Sequence, residues 1–144
     1  MCQASQHRVF VIFVYKKDPD QKLFLLIKSF HSNAITFPSG NLNPCEDFFE
    51  AAQRELLEET GLRTKKSELF LTPLIHKFKY KNLLLKVKSQ QKVFLFSSTT
   101  KALSFKPKDK DIEWVRWYNI NKTLSLLTHS ELKITLKKSL EYFT

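Results

Sequence analysis

The 144-residue sequence predicts a domain of the α/β or α+β class. Two observations predict this class. Runs of β-branched and aromatic residues indicate buried strands, and apolar residues at four-residue spacing indicate two helices. The hydrophobic content of 42%, with 13 Phe, is that of a globular chain. At this length the chain can bury a core without disulfides or metals, so we expect one domain over residues 1–144.

The first predicted element is an antiparallel β-hairpin. Its strands are apolar runs at residues 7–15 and 22–28. The segment between them, K-K-D-P-D-Q, places a proline between two aspartates, which is strong turn chemistry. A polar loop at residues 31–33 and the segment I-T-F-P-S-G then lead out of the hairpin.

A short amphipathic helix is predicted next. Phe48, Ala52 and Leu56 recur at four-residue spacing and form one apolar stripe. Asn43 is the expected N-terminal cap, because its side chain can accept a hydrogen bond from the first helical turn. Gly61 lies where a helix commonly ends with a left-handed residue.

The second half of the chain alternates predicted strands with basic segments. Strands are expected at residues 69–80, 92–97 and 112–118, and basic hairpins or loops at 77–88 and 104–110. A proline interrupts the first of these strands, which predicts an edge strand or two short pieces. A C-terminal helix follows, with an apolar stripe formed by Leu132, Leu136, Leu140 and Phe143.

Charge and cysteine content narrow the class of protein. The formal charge of +10 suits polyphosphate or nucleic-acid ligands, although a lysine-rich surface also keeps a protein soluble. Cys2 and Cys45 show neither a pairing pattern nor zinc spacing, so we expect a reducing compartment. The apolar run at residues 9–15 is too short to span a membrane and lacks a cleavage pattern. We therefore expect a cytoplasmic protein without a membrane partner.

The end of the first helix breaks the usual charge rule. Glu55, Glu58 and Glu59 lie in its last turns, where the helix dipole disfavours carboxylates by roughly 0.3–1 kcal/mol each. These positions are neighbours on a helix, so the three side chains also repel one another. Arg54 is the local compensating charge. A hard divalent cation would reverse the penalty, because Mg²⁺ prefers oxygen ligands. The cluster therefore predicts a metal site.

These residues belong to a longer pattern. Between residues 40 and 62 the chain reads G-x5-E-x7-R-E-L-x-E-E-x-G-L, and it resembles the complete signature of the Nudix hydrolases. We call this segment the Nudix box. The resemblance implies an α/β/α sandwich with a mixed β-sheet. It also implies a hydrolase that acts on phosphoric anhydride bonds.

The resemblance assigns roles within the Nudix box. In the family the last two glutamates bind metal, which maps onto Glu58 and Glu59, and the glycine carbonyl often coordinates, which maps onto Gly40. Glu55 is either a further ligand or the base that orients water. Arg54 is expected to orient a catalytic glutamate through a charge-assisted hydrogen bond. The expected cofactor is Mg²⁺, with Mn²⁺ as a substitute, and Glu55, Glu58 and Arg54 are the expected catalytic residues of the box.

Nudix enzymes often recruit one more carboxylate from outside the box. In the dinucleoside polyphosphate hydrolases and bacterial RNA pyrophosphohydrolases it is a glutamate six residues before a tryptophan. Asp111 lies six residues before Trp117 here, with a side chain one methylene shorter. We expect Asp111 to be catalytic and keep Glu113 as the competing candidate.

Other segments resemble the same two subgroups. The approach to the box, F-P-S-G-N-L-N-P, is similar to F-P-Q-G-G-I-N-P of the RNA pyrophosphohydrolases, with Ser39 at a departure. The strand Q-Q-K-V-F-L-F places Lys92 where a phosphate contact is expected. Tyr80 lies where dinucleoside polyphosphate hydrolases stack a tyrosine on a base. We therefore expect Ser39, Tyr80 and Lys92 to bind substrate.

The leading interpretation is a Mg²⁺-dependent pyrophosphohydrolase of nucleoside diphosphates linked to another group. The substrate would be a dinucleoside polyphosphate or the 5′-triphosphate end of RNA. An alternative is a nucleoside triphosphate or dihydroneopterin triphosphate pyrophosphatase of the MutT kind. ADP-ribose is disfavoured, because the proline that such enzymes carry downstream of the box is missing. A binding module without catalysis is a different class, but it would usually lose the paired glutamates. The choice between monomer and homodimer stays open.

Overall fold

The computed structural model describes residues 8–18, 21–78, 89–98 and 104–142. Its strands and helices are, in chain order, β1 (Arg8–Asp18), β2 (Gln21–Ser29), β3 (Ile35–Thr36), β4 (Ser39–Asn41), α1 (Phe48–Thr60), β5 (Leu69–Phe78), β6 (Ser89–Ser98), β7 (Ile112–Asn119), α2 (Ile120–Leu126) and α3 (Ser130–Ser139). Short 3₁₀ turns lie at Lys66–Glu68 and Leu140–Tyr142. None of the helices in these ranges combines the length and the apolar character needed to cross a membrane.

The seven strands form one mixed sheet. The main path has the order β3-β2-β1-β6-β5, while β4 pairs with β1 and β7 pairs with β2. Strand β1 is antiparallel to β2 and parallel to β6. The predicted hairpin and the mixed sheet are both confirmed.

Strand β1 is buried on both of its faces, which explains its unbroken apolar sequence. Val9 and Val11 belong to a core cluster that includes Leu56 of α1. Ile12 belongs to a second cluster that includes Leu136 of α3. Because alternate side chains of a strand point to opposite faces, the helices cover the two faces of the sheet. The α/β/α sandwich is thereby confirmed.

Helix α1 begins one turn later than the sequence predicted. Its N-terminal cap is Asp47, whose side chain accepts a hydrogen bond from the backbone nitrogen of Glu50, while the Glu50 side chain accepts one from Asp47. The prediction of Asn43 as the cap was therefore wrong. The backbone reverses at Cys45, where φ is 66°, so a helix cannot run through from Asn43. The predicted end is confirmed, since Gly61 is left-handed with φ of 81°.

Strand β5 lies at the edge of the sheet, as its proline predicted. Its register with β6 shifts between Leu71 and Ile75, the interval that contains Pro73. Most of the predicted basic hairpin or loop at 77–88 lies outside the described residues. Strands β3 and β4 and helix α2 were not predicted, because each is too short to show a period.

Candidate active site

Helix α1 presents the acidic residues of its last turns at one end of the sandwich. Its apolar side packs on the sheet through Ala51, Ala52 and Leu56, which are fully buried. Its last turn contains no basic residue, although the dipole favours one there. The arrangement therefore has a cost for folding, and that cost points to function at this end of the helix.

Arg54 connects the acids of this segment. All five N–H donors of its guanidinium face acceptors, which is the full capacity of the group. Nε and Nη2 donate to the two carboxylate oxygens of Glu46, each at 2.8 Å. Nη1 donates to Glu55 at 2.7 Å and to Glu58 at 3.3 Å, and Nη2 also reaches the carbonyl oxygen of Asn41 at 2.7 Å. Arg54 thus orients two of the predicted catalytic glutamates at once.

Glu55 lies against the glycine that opens the Nudix box. A Cβ atom added to Gly40 would fall within the Glu55 carboxyl group. The missing side chain at Gly40 therefore makes the room in which Glu55 sits. Burial raises the pKa of Glu55, and the hydrogen bond and positive charge of Arg54 oppose this shift. Glu58 is more exposed, with 44% of its side-chain surface accessible.

Glu59 is the most deeply buried of the three glutamates, with 7% of its surface exposed. Its Oε1 accepts a hydrogen bond of 2.7 Å from the backbone nitrogen of Ser39 in β4. Burial raises the pKa of Glu59 well above its usual range, and the Ser39 hydrogen bond opposes that effect. A buried carboxylate of this kind would be stabilised by a cation beside it.

The donor set fits a hard divalent cation in chemistry but is not gathered into one cluster. Among the described residues, no three acidic, histidine or cysteine side chains lie close enough together to hold a metal ion. The reason lies in the hydrogen bonds, because Arg54 binds Glu55 and Glu58 while Ser39 binds Glu59. The predicted ligands, with the Gly40 carbonyl, are nonetheless all oxygen donors of the kind that Mg²⁺ prefers.

The segment at 104–111 closes over the end of α1. The backbone nitrogens of Lys108 and Asp109 donate to the carbonyl oxygen of Glu58 at 2.8 and 2.9 Å. The nitrogen of Lys106 donates to the carbonyl oxygen of Thr60 at 3.2 Å. A Cβ atom added to Gly61 would lie 2.5 Å from the Lys106 carbonyl oxygen, so the segment also packs against that glycine. These contacts satisfy carbonyl groups that the helix end leaves open.

The NUDIX domain family matches residues 5–140, which is nearly the whole chain. This match decides the family. The chain belongs to the NUDIX domain family. With a complete Nudix box it is a Nudix hydrolase, an enzyme that acts on phosphoric anhydride bonds.

We describe three of the solved structures that share the Nudix fold with this chain. A C. elegans Ap4A hydrolase in a binary complex is 18% identical with a TM-score of 0.76, over 95% of this chain and 96% of that chain. The E. coli dihydroneopterin triphosphate pyrophosphohydrolase is 13% identical with a TM-score of 0.75, over 96% and 97%. The NUDIX domain of Shewanella oneidensis NrtR, complexed with ADP ribose, is 12% identical with a TM-score of 0.77, over 99% and 90%. At these identities the likeness shows the fold alone. No curated protein matches the sequence.

The two acids proposed from outside the Nudix box both contact strand β2. The carboxylate of Asp111 accepts hydrogen bonds from the Ser29 hydroxyl at 2.5 Å and from the His31 backbone nitrogen at 2.8 Å. Glu113 forms an ion pair of 3.1 Å with Lys28. Both oxygens of Asp111 therefore hold the turn after β2, and its catalytic role stays a prediction.

Two charged residues near the glutamates were missed in the sequence. Asp109 raises the pKa of Glu59 through its negative charge, while the positive charge of Arg8 lowers the pKa of both Glu55 and Glu59. Arg8 reaches this region because β1 pairs with β4 in a register that sets it opposite Asn41. Neither residue belongs to the box. For Asp109 the signal was present, two residues before the acid that was chosen.

The predicted substrate-binding residues are described to different depths. Ser39 is placed in the site, where its backbone nitrogen binds Glu59. The backbone of Lys92 lies in β6 opposite Val9 and Ile75. Tyr80 lies outside the described residues. The substrate roles of all three residues stay predictions.

Cys45, in the loop of the Nudix box, is disulfide-bonded. The expectation of unpaired cysteines was therefore wrong. Pairing of β1 with β4 sets Arg8 opposite Asn41, four residues before Cys45, a proximity that residue spacing does not reveal. The second cysteine, Cys2, lies outside the described residues. Cysteine usage consequently gives no support for a reducing compartment, and the cytoplasmic localisation stays a prediction.

A cavity of about 450 Å³ lies away from the glutamates. Its lining includes Gln21, Lys22, Asn119 and Leu140, and no residue of the Nudix box. None of its lining residues in the described part of the chain carries a carboxylate that could bind a metal or move a proton. The chemistry of the Nudix box therefore decides the position of the candidate active site, and the size of the cavity does not.

Proposed function

We propose that this Nudix hydrolase is a Mg²⁺-dependent pyrophosphohydrolase that cleaves the diphosphate linkage of a nucleoside diphosphate joined to another group. The substrate is a dinucleoside polyphosphate or the 5′-triphosphate end of RNA. The observation that supports this proposal is the placement of three glutamates in the last turns of α1, where Arg54 binds Glu55 and Glu58 and the Ser39 backbone binds Glu59.

Hydrolysis of a phosphoanhydride requires charge neutralisation, an activated water and a stabilised leaving phosphate. A bound Mg²⁺ supplies charge neutralisation and lowers the pKa of a bound water. Glu58, Glu59 and the Gly40 carbonyl would hold it, with Glu55 as either a further ligand or the base, and Mn²⁺ would substitute. The residues of the chain do the rest: Arg54 fixes the carboxylates of Glu55 and Glu58.

Proton removal from the attacking water requires a carboxylate near the cation site. Glu55 suits this role, because burial raises its pKa and thereby makes it a better base than an exposed glutamate. Asp109 is a second candidate, since it lies on the segment hydrogen-bonded to the Glu58 carbonyl. Asp111, the acid predicted from its spacing to Trp117, would need to break its hydrogen bonds with Ser29 and His31 before it could act.

A second candidate function is hydrolysis of nucleoside triphosphates or dihydroneopterin triphosphate. It is favoured by the likeness to the E. coli dihydroneopterin triphosphate enzyme, which equals the likeness to the C. elegans Ap4A hydrolase within 0.01 in TM-score. Fold similarity therefore does not distinguish the two candidate functions. They must be distinguished by the substrates that are hydrolysed and the products that form.

The test is a substrate panel with Mg²⁺. The purified protein is incubated with diadenosine tetraphosphate, a 5′-triphosphorylated RNA, dihydroneopterin triphosphate and single nucleoside triphosphates, and the products are identified. The proposal expects kcat/KM to be highest for diadenosine tetraphosphate or the RNA. Highest activity on dihydroneopterin triphosphate or nucleoside triphosphates would favour the second candidate, and no turnover of any would contradict both.

A further inference from the structure

The segment at 104–111 carries a group of lysines beside the candidate active site. We call this segment, S-F-K-P-K-D-K-D, the lysine loop. The side chains of Lys106, Lys108 and Lys110 are all exposed. Its backbone is nonetheless anchored, because the nitrogens of Lys106, Lys108 and Asp109 bond to carbonyl oxygens in the last turn of α1. The backbone that carries the lysines therefore has a defined position relative to the last turn of α1.

The loop is also braced from within. The side chain of Asp109 accepts a hydrogen bond of 2.9 Å from the backbone nitrogen of Asp111, and the Asp111 carboxylate binds the turn after β2. Gly61 gives the room for the Lys106 backbone to approach. Because the backbone of the loop is already held by these contacts, ligand binding needs to order only the lysine side chains, which lowers its entropic cost.

The three lysines have no partner for their charge within the described part of the chain. The ion pairs there join Lys28 to Glu113 and Arg54 to the acids of the Nudix box. Carboxylates are close by, yet the ammonium groups of Lys106, Lys108 and Lys110 pair with none of them. Uncompensated lysines at a fixed place beside a reactive site are suited to an anionic ligand.

The glutamate cluster creates a need for such charges. Glu55, Glu58, Glu59 and Asp109 would repel a polyphosphate chain that approaches the end of α1. A cation held by the glutamates would compensate for this repulsion at the linkage that is cleaved. Phosphate groups of the ligand that lie further from the cleaved linkage need another source of positive charge. Lysine suits this task, because its ammonium is a flexible point charge with three donors.

We propose that the lysine loop binds phosphate groups of the substrate that lie outside the cleaved linkage. It thereby favours nucleotides with a chain of three or more phosphates over simple diphosphates. The direction of this preference rests on the proposed function, since that function defines which linkage is cleaved. Binding of the phosphate chain itself does not depend on turnover.

The first experiment measures binding without turnover. Binding of inorganic tripolyphosphate in excess Mg²⁺ is compared by calorimetry for the unaltered protein, the triple variant K106Q/K108Q/K110Q and the control K122Q/K137Q/K138Q. The control removes the same charge from exposed lysines on α2 and α3. The loop variant should bind roughly 10- to 100-fold more weakly, and the control within about twofold. Equal weakening in both variants, or no measurable binding to the unaltered protein, would overturn the proposal.

A second measurement separates this proposal from the proposed function. With diadenosine tetraphosphate the loop variant should raise KM in proportion to its weaker binding and leave kcat within about threefold. If the protein hydrolyses nothing on the panel but its tripolyphosphate binding still depends on the loop, the proposed function fails and the binding site stands. If the loop variant binds the 5′-triphosphorylated RNA more weakly but binds tripolyphosphate as well as the unaltered protein does, the loop binds a nucleic-acid backbone. The proposal is then wrong.

Discussion

Glu46 and Arg54 form a two-point ion pair, with Nε 2.8 Å from Oε2 and Nη2 2.8 Å from Oε1. The Arg54 guanidinium beside Glu46 holds the pKa of that carboxyl below its usual value. This pair fixes the plane of the guanidinium, and the same group reaches Glu55 and Glu58 through Nη1. Glu46 therefore helps to position Glu55 and Glu58, the predicted catalytic glutamates, through Arg54.

Replacement of Glu46 by glutamine tests whether Glu46 positions Glu55 and Glu58 through Arg54. The amide keeps one acceptor but turns a donor toward Arg54, so unfolding free energy should fall by about 1–3 kcal/mol. Loss of orientation at Glu55 and Glu58 should also lower kcat by about 10- to 100-fold. Denaturant unfolding and steady-state kinetics measure the two effects. Glu141→Gln, an exposed acid far along the chain, is the matched control. Unchanged kcat in Glu46→Gln would show that Arg54 needs no such support.

Gly40→Ala should damage activity more than stability. The added Cβ would meet the end of the flexible Glu55 side chain, which can move aside at little cost. Displacement of that carboxylate should reduce kcat by at least about tenfold, since catalysis depends on its placement. Thermal unfolding and kinetics on the same preparation check this. A variant with full activity would show that Glu55 acts from another position.

Gly61→Ala should instead reduce stability more than activity. Here φ is 81° and the new Cβ would meet the backbone of Lys106, which cannot move without lifting the loop at 104–111. The left-handed conformation alone costs an L-residue about 1–2 kcal/mol. The chain contains only two glycines, and both lie in the Nudix box, so these two variants are natural controls for each other. A stability loss smaller in Gly61→Ala than in Gly40→Ala would contradict this account.

Asp111→Asn should make stability less sensitive to acid. Hydrogen bonds from Ser29 and from the His31 backbone hold the pKa of the Asp111 carboxyl below its usual value. A lowered folded-state pKa stabilises the protein above the unfolded-state pKa, about 3.9, and this contribution is lost as pH falls through the folded-state pKa. The variant should therefore unfold at a lower temperature than the unaltered protein at pH 7, and the difference should shrink below about pH 4.

Thermal unfolding of both proteins between pH 7 and pH 3 measures that difference. A gap that stays constant with pH would show that the carboxylate is not the group involved. The same variant also tests the catalytic role. If kcat falls by orders of magnitude while the unfolding temperature changes little, Asp111 acts in the reaction despite its contacts with Ser29 and His31.

The parts of the fold that depend on local pattern were predicted from the sequence. The hairpin shows two apolar runs around a turn, and the helix of the Nudix box and the C-terminal helix show apolar residues at four-residue spacing. The acidic last turn of α1 indicated the site because it contradicts the helix dipole. The position of the helix cap was missed, since Asn43 and Asp47 are both good caps and only the backbone reversal at Cys45 decides between them.

The parts that depend on packing between distant segments were not predictable in this way. Arg8 comes near the glutamates only through the register of β1 with β4. Asp109 does so through hydrogen bonds between its segment and the end of α1. Asp111 was predicted from its spacing to a tryptophan. That spacing does not show which acid of the loop lies near the glutamates at the end of α1.

The proposed function requires the three glutamates at the end of α1 to act with a divalent cation in the hydrolysis of phosphoanhydrides. The most direct test is the Mg²⁺ dependence of diadenosine tetraphosphate hydrolysis by the unaltered protein and by Glu58→Gln, with Glu141→Gln, a change at an exposed acid, as the control. We expect turnover by the unaltered protein and the control to require Mg²⁺, and kcat of Glu58→Gln to fall by about 10²-fold or more without unfolding. Turnover that proceeds equally in Glu58→Gln, or that does not respond to Mg²⁺, would contradict the account.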